Sequence, residues 1–163
     1  MRYSYLRYML EQVWPNQKEV LFMALVFLDG TCGNNNWREP LIETLVYLGV
    51  PRESLFNPVV KNWTPEVQEV EERVKREASH HLYFLADPKN GTKSLSMYSA
   101  IEATMALYDR PESAIVIFDH SGLEGHALKA SFQTEKVLRA RFPSALIFDD
   151  LSNALDSMVR MFS

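Results

Sequence analysis

Short apolar runs alternate with longer helical patterns along most of this chain, and that alternation limits the possible folds more than any other feature. Five runs have the near-continuous apolarity of strands that are buried on both faces of a sheet. They are MALVFL at 23–28, SLFN at 54–57, HLYFLA at 81–86, AIVIF at 114–118 and ALIF at 145–148. Because helical segments separate them, the pattern predicts an α/β fold with a parallel sheet.

Residues typical of helix starts and ends mark several of the helical segments. Thr64 and Pro65 open one helix, Gly49 ends another, and Asp149 or Asp150 caps the last. The predicted helices span 37–48, 65–79, 94–109, 124–141 and 151–161. Five such units with right-handed crossovers predict a three-layer, flavodoxin-like or Rossmann-like sandwich with a five-stranded parallel sheet in the order 2-1-3-4-5. Ligands of such sheets bind in the crevice between the carboxyl ends of strands 1 and 3.

The chain of 163 residues is long enough for a single domain, which we expect to span residues 23–163. Residues 1–22 form an N-terminal extension with helical spacing of its apolar residues, Tyr5, Leu6, Met9, Leu10 and Val13. This spacing predicts an amphipathic helix that packs on the domain or on a second copy of it. Arg2, Arg7 and Glu11 interrupt its apolarity, so we expect neither a signal peptide nor a membrane span.

Composition excludes several classes of partner and cofactor. The net charge is −4 and no run of Lys or Arg occurs, which argues against a nucleic-acid polymer as partner. The single Cys32 cannot form an internal disulfide, which favours a reducing cytoplasm. The chain lacks the CxxC and HExxH spacings of metal sites and the GxxxxGK[ST] and GxGxxG loops of nucleotide cofactors. We therefore expect no metal and no cofactor.

Four predicted strands end in an aspartate. Asp119 and Asp149 are interpreted as turn or cap residues, which are common at strand ends. Asp29 and Asp87 differ because they lie beside the predicted crevice. The elbow GxSxG of serine hydrolases is absent, so His120 is interpreted as a loop histidine. Acidic groups are therefore the chemistry that the crevice offers.

The predicted helix at 94–109 carries a lone carboxylate, Glu102. Its large apolar residues recur at helical spacing and are expected to face the sheet; they are Met97, Ile101, Met105 and Tyr108. Glu102 lies about 100° from Ile101 around the helix and has no Lys or Arg three or four residues away. Together with Asp87 and Asp29, it could supply the paired carboxylates that break a bond at an anomeric carbon.

Three stretches in the same order resemble the nucleoside 2-deoxyribosyltransferase-like superfamily, over about residues 24–118. They are VFLDGTCGNNNWREPLIETL, FNPVVKNW and SLSMYSAIEATMALY. The resemblance implies that Glu102 is the nucleophile that attacks C1′ of a nucleoside, releases the base and holds the sugar as an ester. It implies that Gly30, Thr31, Trp37, Arg38, Asn57 and Trp63 line or shape the pocket. The other candidates for substrate binding are Asp29, Asn35, Ser96, Tyr98 and Ser99.

Two positions depart from the superfamily pattern. Ser96 stands where the transferases have an aspartate, and Thr104 stands where they have a glycine. Asp87 is the candidate to replace the missing aspartate. The sequence therefore leaves open transfer, hydrolysis of an N-glycosidic bond in a nucleoside or nucleotide, and a binding or regulatory module without chemistry. A receiver-like signalling domain is a further alternative. Because superfamily members often complete their pocket with a neighbour's residues, we also expect a homo-oligomer.

Overall fold

The computed structural model describes residues 26–32, 36–86 and 96–161. The strands are β1 (Val26–Gly30), β2 (Leu55–Phe56), β3 (His80–Ala86), β4 (Ala114–Asp119) and β5 (Leu146–Phe148). The helices are α1 (Arg38–Tyr47), α2 (Pro65–Glu77), α3 (Met97–Asp109), α4 (Gly125–Arg141) and α5 (Leu151–Met161). All five strands are parallel in the order β2-β1-β3-β4-β5, so the predicted α/β fold and strand order are confirmed. The predicted N-terminal helix lies outside the described residues.

The strand register opens a gap beside the end of β1. Pairing of β1 with β2 stops at Phe27, whereas pairing with β3 continues to Gly30 opposite Phe84. Asp29 and Gly30 therefore lie beyond the paired part of β2. This is the crevice position that the strand order predicts, at the carboxyl ends of β1 and β3.

Two apolar layers enclose the sheet. Leu28 and Leu82 pack with α1 and α5 on one face, and Leu85 and Phe118 pack with α3 and α4 on the other. Each of these side chains is fully buried, and complete burial of one such side chain stabilises the fold by about 1.5–3 kcal/mol. This packing holds the ends of β1 and β3 in place at the crevice.

The link that follows β1 depends on one glycine and one threonine. Gly30 has a φ of +112°, and a Cβ atom there would lie 2.4 Å from the Phe84 carbonyl oxygen. Only glycine avoids that clash. The Thr31 hydroxyl donates to the Ala86 carbonyl and accepts from the Ala86 N–H, both at 3.0 Å. The crevice loop is therefore tied to β3 as it leaves the sheet.

The predicted orientation of α3 was wrong. Met97, Ile101, Met105 and Tyr108 are 56–79% exposed rather than packed on the sheet. The helix instead buries Ser99, Ala103 and Leu107, of which the first two have small side chains. Because Ser99 and Ala103 are small, the helix can approach β3 closely. With this face packed on the sheet, the Glu102 side chain is directed toward Lys75 of α2. We call the exposed large residues of this helix the α3 outer face; they are Met97, Tyr98, Ile101, Met105 and Tyr108.

Within the described residues, the predicted boundaries lie within two residues of the observed ones, and the predicted starts at 23 and 94 fall outside those residues. The strand β3 begins at His80, one residue before the predicted start at His81. Thr64 caps α2 by accepting a hydrogen bond from the Val67 N–H, as predicted. For α5 the cap is Asp150, whose Oδ1 accepts from the Asn153 N–H at 2.8 Å.

Within residues 26–32, 36–86 and 96–161, no helix combines the length and the apolarity needed to cross a membrane. The same residues bring together no group of three His, Cys, Asp or Glu side chains that could hold a metal ion.

Candidate functional site

Two adjoining cavities lie at the carboxyl end of β1. The inner cavity has a volume of about 400 Å³, and the outer cavity has a volume of about 660 Å³. The inner cavity is lined by residues of β1, α2 and the start of α3, and the outer cavity by residues of α1 and the β2–α2 loop. Five residues line both cavities, namely Cys32, Arg38, Pro58, Trp63 and Glu71. The two cavities together therefore form one crevice, which we treat as the candidate site.

A lysine joins two carboxylates at the base of the inner cavity. Lys75 Nζ of α2 lies 2.5 Å from Asp29 Oδ2 at the end of β1 and 2.6 Å from Glu102 Oε1 of α3. The three side chains are only 11–23% exposed. Three separate elements therefore meet at one ion-pair network, in which two negative charges share one positive charge.

The charges of this network change the pKa values of its members. Burial lowers the pKa of Lys75, but the charges and hydrogen bonds of Asp29 and Glu102 outweigh burial, and the net pKa is raised. Burial raises the pKa of Glu102, and the charge of Asp29 raises it further. The hydrogen bond and charge of Lys75 and a hydrogen bond from Tyr98 oppose that rise. Lys75 thus stays charged and favours the ionised form of Glu102.

Asp29 is the anchor of the network. It is buried, and its Oδ1 accepts a hydrogen bond from the Gly30 N–H at 2.8 Å. Because Oδ2 binds Lys75, both carboxylate oxygens have partners. Asp29 therefore positions the lysine between the sheet and α3.

Glu71 is a second carboxyl group in the crevice, one turn before Lys75 on α2. It lines both cavities, and its Oε2 atom is buried without a hydrogen-bond partner among the described residues. Burial raises its pKa from 4.5 to about 7; the charges of Asp29 and Glu102 add to this, and Lys75 opposes it. Near neutral pH, the Glu71 carboxyl group can therefore either donate or accept a proton.

The first turn of α3 closes one side of the inner cavity. Ser96 caps this helix, since its Oγ accepts from the Ser99 N–H at 3.3 Å and from the Ser99 hydroxyl at 3.0 Å. Tyr98 is 72% exposed, lines the inner cavity and forms a hydrogen bond with Glu102. Ser96 thus has a structural role in addition to its place in the cavity wall.

Arg38 and Trp37 support the β1 loop. Arg38 is 3% exposed and donates to the carbonyl oxygens of Leu28, Thr31 and Gly30 at 2.9, 3.3 and 3.2 Å. The indole N–H of Trp37 also donates to the Thr31 carbonyl, at 2.9 Å. Three of the five guanidinium N–H groups serve these carbonyls and a fourth reaches Cys32 Sγ at 3.8 Å, so Arg38 has little capacity left for an anionic ligand.

The outer cavity combines an aromatic ring with a fixed amide. Trp63 is 58% exposed and lines both cavities. Asn57 donates to Glu39 Oε1 at 2.7 Å and accepts from the Val59 N–H at 3.1 Å. An exposed indole beside a cavity of this size suits a planar ring that stacks on it.

The structure assembles most of the sequence-predicted residues around the crevice. Those that line the inner cavity are Asp29, Gly30, Arg38, Trp63, Ser96, Tyr98, Ser99 and Glu102. Asn57 lines the outer cavity. Thr31 and Trp37 are buried and shape the loop from behind. Asp87 and Asn35 lie outside the described residues, so the structure does not describe their part in the site.

Sequence reasoning missed Lys75 and Glu71. A signal was present, because Val67, Val70 and Val74 mark the buried stripe of α2. Glu71 and Lys75 each follow a valine of that stripe and are four residues apart, so they lie on one line at its edge. Charged residues at the edge of a buried stripe are candidates for the rim of a crevice.

A second polar cluster lies after β4, and we call it the His120 cluster; it comprises His120, Ser131, Glu135 and Arg139. His120 Nδ1 lies 2.9 Å from Ser131 Oγ, and His120 Nε2 lies 2.8 Å from Glu135 Oε2. Arg139 Nε donates to Glu135 Oε1 at 2.7 Å. The order of contacts is that of a serine–histidine–acid triad, but Ser131 is completely buried. No substrate can reach it.

The fold and the crevice define an α/β protein with an acidic site at the switch point of its sheet. Comparisons with known proteins find no matching family model, no matching curated protein and no matching solved structure.

Proposed function

We propose that this protein cleaves or transfers at the N-glycosidic bond of a nucleoside or nucleotide, with Glu102 as the nucleophile. The observation that supports this most is the presence of two differently held carboxyl groups in one cavity. Glu102 is paired with Lys75, whereas Glu71 has a pKa of about 7. Carboxyl groups whose environments separate them in this way commonly divide the roles of nucleophile and acid.

In the first step, a carboxylate oxygen of Glu102 forms a bond to C1′ of the sugar while the bond from C1′ to the base nitrogen breaks. The electron pair of that bond passes to the base. Lys75 holds one oxygen of Glu102 at 2.6 Å and favours its ionised form, so the other oxygen is the one that attacks. The product of this step is a sugar ester on Glu102.

Glu71 supplies the proton for the departing base. Its buried Oε2 has no partner in the described part of the chain, and its pKa of about 7 allows it to be protonated at neutral pH. Once it has donated, its carboxylate removes a proton from the water or the second base that resolves the ester. Water gives hydrolysis, and a second base gives transfer.

The charge of the crevice favours a nucleoside over a nucleotide. Four carboxyl groups, Asp29, Glu71, Glu72 and Glu102, line the inner cavity beside two cations, Lys75 and Arg38, so the described lining stays net negative even when Glu71 is protonated. A phosphate group would meet this net negative charge. The base would stack on Trp63 in the outer cavity.

These features agree with the resemblance to the nucleoside 2-deoxyribosyltransferase-like superfamily, and we infer a divergent member of it. A cytoplasmic homo-oligomer that acts in nucleoside metabolism is the form of the protein that we propose.

A nucleoside-binding regulatory module is the second candidate, and one observation favours it. Lys75 binds Asp29 and Glu102 together, and a carboxylate in such an ion pair is a weaker nucleophile than a free one. Calorimetric binding of a nucleoside with no product after long incubation would support this candidate over the enzyme.

Incubation with a panel of nucleosides and their monophosphates, with and without a second free base, tests the proposal. Chromatography follows released and exchanged bases for the wild type, for Glu102→Ala and for the control Glu112→Ala, whose glutamate is exposed and distant from both cavities. We expect product from the wild type and the control only. Full turnover by Glu102→Ala, or no product from any substrate, would refute the proposed chemistry.

A further inference from the structure

The α3 outer face has the composition of an interface rather than of a solvated surface. Its five residues, Met97, Tyr98, Ile101, Met105 and Tyr108, are 56–79% exposed. The only charged residue between the ends of that face is Glu102, which points inward to Lys75. Exposed Met and Tyr side chains without intervening charges are typical of the cores of protein–protein interfaces.

The extent of this face fits a standard protein contact. An aromatic side chain presents roughly 150–250 Å², so Tyr98 and Tyr108, both more than half exposed, offer on the order of 250 Å². Met97, Ile101 and Met105, also more than half exposed, extend this patch along the helix. A stable interface buries about 800 Å² per partner, and the exposed residues Glu72 and Arg76 of α2 continue the surface beside this face. Exposed apolar patches of this size mark interaction sites.

We propose that the α3 outer face is covered by the same face of a second copy of this chain, with the two α3 helices antiparallel across a two-fold axis. The rim carries charges of both signs, namely Glu72 and Asp109 against Arg76 and Arg110. Two identical surfaces with mixed rims can meet without net like-charge repulsion, whereas a strongly charged partner would need a rim of one sign. The antiparallel arrangement also opposes the two helix dipoles.

This interface is continuous with the crevice. A groove of about 510 Å³ runs between α2 and α3, and Tyr98, Ile101 and Met105 line it together with Lys75 and Glu102. Tyr98 also lines the inner cavity. A second copy on the outer face therefore covers the side of the Lys75–Glu102 pair that the groove leaves open. The interface does not depend on the proposed reaction.

Sedimentation equilibrium over a range of concentrations tests the proposal, with Ile101→Lys and the control Val137→Lys. The two side chains are 56% and 53% exposed, on α3 and α4 respectively, so neither substitution should unfold the domain. We expect a dimer for the wild type and Val137→Lys, and a monomer for Ile101→Lys with an unchanged circular dichroism spectrum. A wild-type monomer at all concentrations would overturn the proposal and leave residues 1–25 as the occupant to test next. A dimer for all three proteins would place the interface elsewhere and overturn it too.

Cross-linking gives a second readout that does not depend on loss of association. In a Cys32→Ser background, Ile101→Cys lies near the middle of the face, and we expect it to form a disulfide with its own copy under mild oxidation. Val137→Cys should remain a thiol. Equal cross-linking at both positions, or none at Ile101→Cys in a dimeric protein, would contradict the antiparallel α3 contact.

Discussion

The crevice and the His120 cluster contain similar side chains but differ in what surrounds them. In the crevice, one cation, Lys75, pairs with two carboxylates at 2.5 and 2.6 Å, whereas in the His120 cluster one carboxylate, Glu135, pairs with Arg139 at 2.7 Å and with His120 at 2.8 Å. The His120 cluster pairs both oxygens of Glu135 and encloses Ser131 completely. In the crevice, Lys75, Glu71 and Glu102 line a cavity, and Glu71 keeps one oxygen without a described partner.

The difference shows that hydrogen-bond connectivity alone does not make an active site. The His120 cluster has the contacts of a triad and uses them to fasten α4 to the end of β4. The crevice has less regular contacts, but it leaves space and an unused proton site for a ligand. Substitutions at the two clusters should therefore differ: those in the crevice should change turnover, and those in the His120 cluster should change only stability.

The largest expected effect is the loss of turnover in Glu102→Gln. The amide keeps the size of the side chain but cannot attack C1′, so kcat/KM should fall by at least about 10³-fold. The melting temperature should change little because Lys75 keeps Asp29 as its partner. Steady-state kinetics and calorimetry check both parts. Retention of more than a tenth of the wild-type rate would remove Glu102 from the chemistry.

Lys75→Met should destabilise the crevice and weaken activity together. Without the ammonium group, the carboxylates of Asp29 and Glu102 are left partly buried and unpaired, which costs about 2–3 kcal/mol at this level of exposure. The pKa of Glu102 should rise, and the acid limb of the activity profile should move to higher pH. Chemical denaturation and a pH–rate profile measure the two effects. The control is Arg76→Met at the exposed neighbouring position; equal losses in both variants would contradict this account.

Trp63→Ala tests whether the outer cavity holds the base. Loss of one stacked ring is worth about 1–3 kcal/mol, so KM should rise roughly tenfold while kcat stays within about threefold. Tyr47→Ala removes an 89% exposed aromatic side chain from the end of α1 and should leave both constants unchanged. A fall in kcat without a change in KM would assign Trp63 a different role.

The fold was predictable because buried parallel strands have nearly continuous apolar sequences. VFLDG and HLYFLA are examples, and their order along the chain fixes the switch point of the sheet. The placement of Glu102 at the crevice followed from that order.

The charged partners of Glu102 were harder to predict, because they depend on helix rotation. In PEVQEVEERVKRE most residues are charged, and Lys75 and Glu71 resemble the solvated ones until the helix is packed. On α3, the wrong face was predicted to be buried, because the prediction assumed that the largest apolar side chains, such as Met97 and Ile101, face the sheet. Close packing of Ser99 and Ala103 against the sheet decides the orientation instead. The exposure of the α3 outer face could therefore not be predicted before the packing of the helix was known.

Glu71→Gln should change the pH dependence of stability. The pKa of Glu71 rises from an ordinary 4.5 to about 7 on folding, so its contribution is fully present below pH 4.5 and is lost as the pH rises through 7. The loss is about 1–2 kcal/mol after allowance for partial exposure. The variant should lack this decline, as denaturation at pH 4.5 and pH 8 can measure. Parallel curves for both proteins would show that Glu71 does not titrate in this range. Activity of the wild type should also fall above pH 7.

Ser131→Ala should have the smallest effect and mark the contrast between the two clusters. Removal of the hydroxyl leaves His120 Nδ1 without its 2.9 Å partner and costs about 1 kcal/mol of stability. Turnover should remain unchanged, because Ser131 is closed to substrate. A substantial loss of activity at full stability would show that the His120 cluster takes part in the chemistry.

The most direct test of the central claim is to trap the sugar on Glu102. A nucleoside with fluorine at C2′ slows the second step, so that the ester accumulates and intact-protein mass spectrometry can detect it. We predict a mass increase equal to the fluorinated sugar, localised to the peptide that contains Glu102 and absent in Glu102→Gln. Release of base with no adduct, or an adduct on another residue, would contradict the assignment of Glu102 as the nucleophile.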